Sequence, residues 1–194
     1  MKYQRFVLML VGVFLLLLPA VADAHIIGGN GFTSGIGHPF LGLDHLLATV
    51  AVGIISVRIG GRAIWKIPAV FIGFMSVGAV IAIAGMRMPV TEMGIALSVI
   101  ILGIAIALSK KIPMGWAIAC VALFAIFHGH AHGEEFPVIA SPFLYGIGFI
   151  ASTFVLHVTG IGIALGARKS VRAMTLVKYA GVGMSVVGML FLLK

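Results

Sequence analysis

The stretch His38-Pro-Phe-Leu-Gly-Leu-Asp-His45, which runs on as Leu46-Leu-Ala-Thr-Val-Ala-Val-Gly53, sets two imidazoles and a carboxylate at the mouth of an otherwise uninterrupted apolar run. An ionisable side chain inside a membrane-spanning segment costs roughly 2.5–3.5 kcal/mol on insertion scales, so it is a functional-site hypothesis by default. Asp44 is therefore the residue to explain. Its setting is set by composition: of 194 residues, 61% are hydrophobic and 9% charged, against roughly 25% charged in an ordinary soluble domain. This is the composition of an integral membrane protein. The formal charge of +8 lies in short Lys/Arg groups between apolar runs, not on one soluble basic face, so nucleic acid is excluded as a partner. The single cysteine, Cys120, lies inside an apolar segment and can form neither an intrachain disulfide nor a thiolate metal cluster.

Upstream of this stretch, Lys2 and Arg5 precede an apolar run from Phe6 to Leu18, then a breaker at Pro19 and the small-x-small triplet Ala22-Asp23-Ala24. That layout reads as a cleaved signal peptide over residues 1–24, because the apolar run is short for a span of roughly 20 residues. The mature chain, 25–194, then begins at His25, whose α-amino group and imidazole can together chelate a divalent metal. Downstream, hydropathy gives six spans at about 38–57, 66–86, 92–109, 113–133, 142–166 and 174–193, each close to the length that crosses about 30 Å of hydrocarbon. The fold class expected is all-α, an integral membrane bundle of six transmembrane helices in one domain.

With the mature N-terminus exported, the cytoplasmic loops hold nine basic residues (Arg58, Arg62, Lys66, Lys110, Lys111, Arg168, Lys169, Arg172, Lys178) and the exported side two, Arg87 and Lys194. That asymmetry obeys the positive-inside rule and places both termini outside the cytoplasm, on the periplasmic side of a bacterial inner membrane. Six spans also admit two inverted sets of three, although the two halves show no sequence match. Gly162 and Gly166, four apart in the fifth span, suit close helix packing.

Three clusters carry the chemistry. In the first, Pro39 suits the first turn of a helix, and His38 and His45, seven apart, would share a face if the helix reached that far. Asp44 near a helix N-terminus is favoured by the dipole. The second, Phe127-His128-Gly-His130-Ala-His132-Gly-Glu134-Glu135, ends the fourth span on the same side of the membrane, so the two clusters can meet. On a helix His128, His132 and Glu135 line one face, and His130 and Glu134 roughly the opposite one. The third is His157, deep in the fifth span, about one turn after Ser152 and Thr153. Imidazole with some carboxylate suits nickel, cobalt, copper(II) or zinc, while hard ions prefer oxygen ligands alone. Met86 and Met88 are the methionine pair that could add soft ligands, and Glu92 reads as a dipole partner at the start of the third span. No cofactor is called for, and the partners are the divalent cation and the lipid bilayer. No protein partner is named by the sequence.

The segments His38 to Gly53 and Phe127 to Glu135, the Ser/Thr-x-x-x-His element ending at His157, and a leader ending in Ala-His together resemble the HupE/UreJ family of nickel permeases. The resemblance runs through essentially the whole chain, and both histidine motifs are specific. It implies secondary transport of nickel, with cobalt as the alternative ion, to supply nickel enzymes such as hydrogenase or urease. The resemblance implies that His38, Asp44 and His45 match the first motif and that His128, His132 and Glu134 or Glu135 match the second. Thr49 stands where the family more often has methionine. The related nickel–cobalt transporters carry His-x4-Asp-His, whereas the spacing here is His-x5-Asp-His. Two other classes compete: a membrane haem-binding electron carrier, which would leave the acidic residues unused and show a Soret band, and a membrane metalloenzyme. The chain lacks His-Glu-x-x-His and every other nucleophile-and-base pattern of that class, so the expectation is that it is not an enzyme.

Overall fold

The computed structural model describes residues 31–110, 112–134 and 141–193. The expected leader at 1–24 and the candidate ligands His25 and Glu135 lie outside them. Seven helices follow one another: α1 Gly31–Leu41, α2 Leu43–Ile59, α3 Ala63–Ile83, α4 Thr91–Leu108, α5 Met114–Glu134, α6 Pro142–Ala167 and α7 Val171–Leu192, with no strand among the described residues. Each of α3 to α7 is long and apolar enough to cross a bilayer, and α1 with α2 passes the same test as a pair bent by 81°. The protein is an all-helical, multi-pass membrane protein. The five straight spans fall within a few residues of their hydropathy-based positions.

The first span departs from expectation. Pro39 does not open a helix: α1 begins at Gly31, so Pro39 falls in its last turn, where the ring removes one backbone donor. The chain extends at Gly42 (φ −80°, ψ 104°) and a new helix begins at Leu43. His38 and His45 thus sit on two helices at a steep angle, and the expectation that they share one helix face is corrected.

Four tightly packed helix pairs are made by glycine: in one, α1 lies against α6, where a Cβ on Gly35 would strike the Tyr145 carbonyl and one on Gly148 the Phe32 carbonyl, and the other three build the body of the bundle. A Cβ on Gly53 of α2 would collide with the His157 carbonyl of α6, and one on Gly160 would collide with the Val50 carbonyl. A Cβ on Gly129 of α5 would strike the Met75 carbonyl of α3, and one on Gly78 would strike the Ile126 carbonyl. In α4 and α7, Gly103 and Gly181 press on each other's backbone, 2.6 and 2.7 Å from the added atom to the opposite carbonyl oxygen. Backbones this close exchange extensive dispersion contacts that no side chain could preserve. By contrast, a Cβ on Gly162 meets nothing within 4 Å, so the glycine that α6 packs against α2 is Gly160.

These contacts have an internal symmetry. Val50 and Gly53 bear the same relation to Gly160 and His157 as Ile126 and Gly129 bear to Gly78 and Met75, and the α4–α7 contact maps onto itself when its partners are exchanged. Swapping the first three spans for the last three therefore carries each pair of the body onto a pair. The contacts carry the pattern of a two-fold repeat of inverted topology, which side chains do not record.

Large apolar side chains cover the outside, among them Phe143 and, near the starts of α3 and α5, Trp65 and Trp116. Indole rings at such positions suit the membrane–water interface. At the same end, Arg58 donates to the Ala105 and Ile106 carbonyls in the last turn of α4, and Arg168 donates to the Val57 carbonyl in the last turn of α2. Each guanidinium meets the negative end of a helix dipole and satisfies carbonyls that lack an intrahelical partner. The described histidines lie toward the opposite end.

Candidate functional site

The bend at Gly42 turns α1 across the top of α6, and α2 then descends parallel to α6. His38 comes in from α1, Asp44 and His45 from the first turn of α2, His128 and His132 from the last turns of α5, and Thr153 and His157 from α6. The parity argument made from the sequence, that the first and fourth spans bring their motifs to one end, is what the bundle displays.

The imidazoles form a continuous line. His38 Nε2 lies 2.8 Å from His132 Nδ1, His132 Nε2 lies 3.1 Å from His45 Nδ1, and His45 Nε2 lies 3.4 Å from Thr153 Oγ1. A neutral imidazole donates through one nitrogen and accepts through the other, so this line has a single sense from end to end. One helical turn deeper, His157 Nδ1 donates to the Thr153 carbonyl at 2.8 Å. That bond fixes the tautomer and leaves Nε2 as a lone pair, buried and without a hydrogen-bond partner. Thr49 Oγ1, one turn below His45 on α2, is also buried without one. An unpaired buried polar group costs roughly 1–3 kcal/mol.

His128 is linked laterally. Its Nε2 lies 2.8 Å from Ser98 Oγ, whose own hydrogen goes to the Ile95 carbonyl at 2.7 Å. The ring therefore donates to Ser98 and turns its Nδ1 lone pair away from α4. Its centroid is 5.6 Å from that of His45. His45, His128, His130 and His157 are all 0 or 1% exposed.

Two phenylalanines form the walls. Phe149 of α6 lies against His38, His45 and His132 at centroid distances of 5.9, 5.2 and 4.9 Å. Phe71 of α3 lies against His45, His128 and His157 at 6.0, 5.9 and 5.2 Å. Phe71 meets His45 and His157 edge-on, and the other four contacts are tilted. Sequence reasoning passed over both, and over Ser98, since nothing distinguishes them from the other phenylalanines and serines of apolar helices.

The remaining candidates are placed differently. Asp44 is half-buried at the break and accepts from its neighbour His45 N at 2.6 Å. The position that a Cβ on Gly42 would take is 3.0 Å from Asp44 Oδ1 and 3.9 Å from His132 Cε1, so the carboxylate borders the imidazole line without bonding to it. His130 faces the other way: its Nε2 donates to the Met86 carbonyl at 2.8 Å, and its Nδ1 lies 3.1 Å from Thr91 Oγ1 and 3.7 Å from Glu134 Oε2. It ties the end of α5 to the turn before α4. Met86 contributes this carbonyl and has an exposed side chain, and Glu92 is exposed in the first turn of α4. Among the described residues, no three His, Cys, Asp or Glu side chains close into a ready-made metal site. Chemically, the line offers several imidazole lone pairs in an apolar wall, with a carboxylate at its mouth.

Comparison with known proteins agrees with this architecture. The family described as HupE / UreJ protein matches residues 13–191. A curated relative, Protein HupE from Rhizobium leguminosarum bv. viciae, is 43% identical over 165 residues, covering 84% of this chain and 85% of its own. No solved structure matches. With a family match over nearly its whole length and both histidine motifs gathered at one end of the bundle, the chain belongs to the HupE/UreJ family.

Proposed function

We propose that this protein is a secondary permease that takes up divalent nickel, with cobalt as a competing ion, across the cytoplasmic membrane to supply nickel enzymes such as hydrogenase or urease. The observation that carries this reading is the line that runs from half-buried His38 and His132 to buried His45 and Thr153, with the lone pair of His157 beyond it. Imidazoles backed by a carboxylate suit the later first-row divalent ions. Links between neutral imidazoles are weak enough to be exchanged for bonds to an ion, one ring at a time.

In this mechanism the hydrated ion is drawn to the exported face by Asp44, sheds water as His38, His132 and His45 replace it, and passes His128 on the way to His157. Phe71 and Phe149 keep bulk water from re-entering. The inside-negative potential favours a doubly charged ion by about 2 × 2.3 kcal/mol per 100 mV, which drives uptake without a coupled proton. A cleaved leader and exported termini follow from the charge asymmetry of the loops.

The test is uptake of radioactive nickel by cells expressing the wild type or His45→Ala at matched membrane abundance, with cobalt, zinc and copper as competitors. Uptake that is lost in the variant and competed mainly by cobalt is the expected result. Accumulation at the background level in both would refute the reading.

A further inference from the structure

The pairing of α2 with α6 repeats itself one turn deeper. The two helices run parallel: His45 meets Thr153, Gly53 meets His157 and Gly160, and Val57 meets Arg168. Four residues on from His45 is Thr49, and four on from Thr153 is His157, so each lies on the same face as its predecessor. The upper pair sets an imidazole on α2 against a hydroxyl on α6. One turn deeper, helix register puts the hydroxyl of Thr49 on α2 at the level of the His157 imidazole on α6.

The two levels differ in how they are satisfied. The upper pair is joined at 3.4 Å and linked onward to His132. In the lower pair, Thr49 Oγ1 and His157 Nε2 both lack a hydrogen-bond partner, and both residues are 0% exposed. The glycine contact of Gly53 and Gly160 comes next along the same seam and leaves no room for a group to descend between these two helices. The lower pair is thus a polar floor above closed backbone.

We propose that Thr49 and His157 form a second, inner cation site, at which the transported ion pauses after leaving the upper histidines, with Thr49 setting how fast it moves on. This rests on the transport reading above. Here His157 Nε2 supplies the nitrogen donor and Thr49 Oγ1 a neutral oxygen donor, with water retained in the other positions. One nitrogen and one neutral oxygen hold a divalent ion more weakly than several imidazoles and a carboxylate, and a transit site needs to release its ion.

The experiment measures initial rates of nickel uptake over a range of nickel concentrations for wild type, Thr49→Val, Thr49→Ser and His45→Ala, normalised to the folded protein in the membrane. Thr49→Val keeps the shape and removes the oxygen. It is expected to lower the maximal rate about tenfold with the half-saturating concentration unchanged, because capture at the upper histidines is intact. Thr49→Ser, which keeps the hydroxyl, is expected to restore the rate. A wild-type maximal rate in Thr49→Val overturns the inner site alone, and equal loss in Thr49→Val and Thr49→Ser overturns it by assigning the effect to packing. Absence of nickel uptake by the wild type defeats both this site and the transport reading.

Discussion

The α2–α6 pair and the α3–α5 pair have the same backbone contact and opposite contents. Superposing the two contacts through their glycines places His45, Thr49, Thr153 and His157 of the first pair over Val121, Ala125, Phe71 and Met75 of the second. All eight are buried. One copy of the interface therefore carries the candidate ligands and the other carries core, including the ring that walls in three histidines. The backbone geometry does not make the site; it supplies a rigid seam that either a polar or an apolar set of side chains can fill.

The comparison can be broken at the glycines, where the effect is largest. Gly53→Leu and Gly129→Leu each force a side chain into an opposing carbonyl, and both are expected to remove the protein from the membrane fraction, since overpacking alone costs about 1–3 kcal/mol and a backbone collision more. If only one of the two loses abundance, measured by immunoblot of membranes, the two interfaces are not equivalent. Next in size is the contrast in chemistry: His45→Ala is expected to abolish nickel uptake at normal abundance, whereas Val121→Ala, at the matching position, is expected to stay within about twofold of wild type. Asp44→Asn keeps the shape at the bend and removes the charge; a fall in uptake of about 10- to 100-fold is expected, with membrane insertion unaffected. Wild-type uptake in that variant would remove Asp44 from the capture step.

Acidification sharpens the contrast without a mutation. A protonated imidazole has no lone pair for a metal, so ligands must lose protons before they bind. Uptake is expected to fall once the exported face is acidified far enough to protonate the line. Uptake that stays at its neutral-pH level down to the pH at which the protein itself unfolds would argue against imidazole ligands. The smallest effect is expected for His130→Gln, which loses the ties to Met86 and Thr91: a stability loss of about 1 kcal/mol, read as a lower unfolding temperature in detergent, with the half-saturating nickel concentration unaltered.

Much of this was legible in the sequence because the bilayer forces it to be. A span must be long and apolar, so α3 to α7 could be bounded within a few residues, and alternation of direction alone brought the motifs of the first and fourth spans to one end. The bend was not legible. Pro39 is as acceptable in the last turn before a break as in the first turn of a helix, and what decides between them is the contact of α1 with α6 through Gly35 and Gly148. The packing glycines were hidden too: Gly160 and Gly162 look alike among 26 glycines, and the difference lies in which faces α2. The same holds for Phe71 and Phe149 among 13 phenylalanines. His130 shared a motif with His128 and His132, yet two residues of helix turn it toward α4 and the Met86 carbonyl. Arg58 and Arg168 were readable as marks of orientation, but their bonds to helix ends depend on a packing order that no loop charge encodes.

Because the chain turns through 81° at Gly42, the part of the first span that runs with the bundle is the 17 residues of α2. They rise roughly 25 Å, against a hydrocarbon layer of about 30 Å. The part of the first span that runs with the bundle is thus shorter than that layer, and His38 and His45 sit on either side of the bend at its short end. On the transport reading, a cation arriving there would begin its crossing with part of the dielectric barrier already behind it, whereas a straight helix with the same residues would leave that barrier at full width.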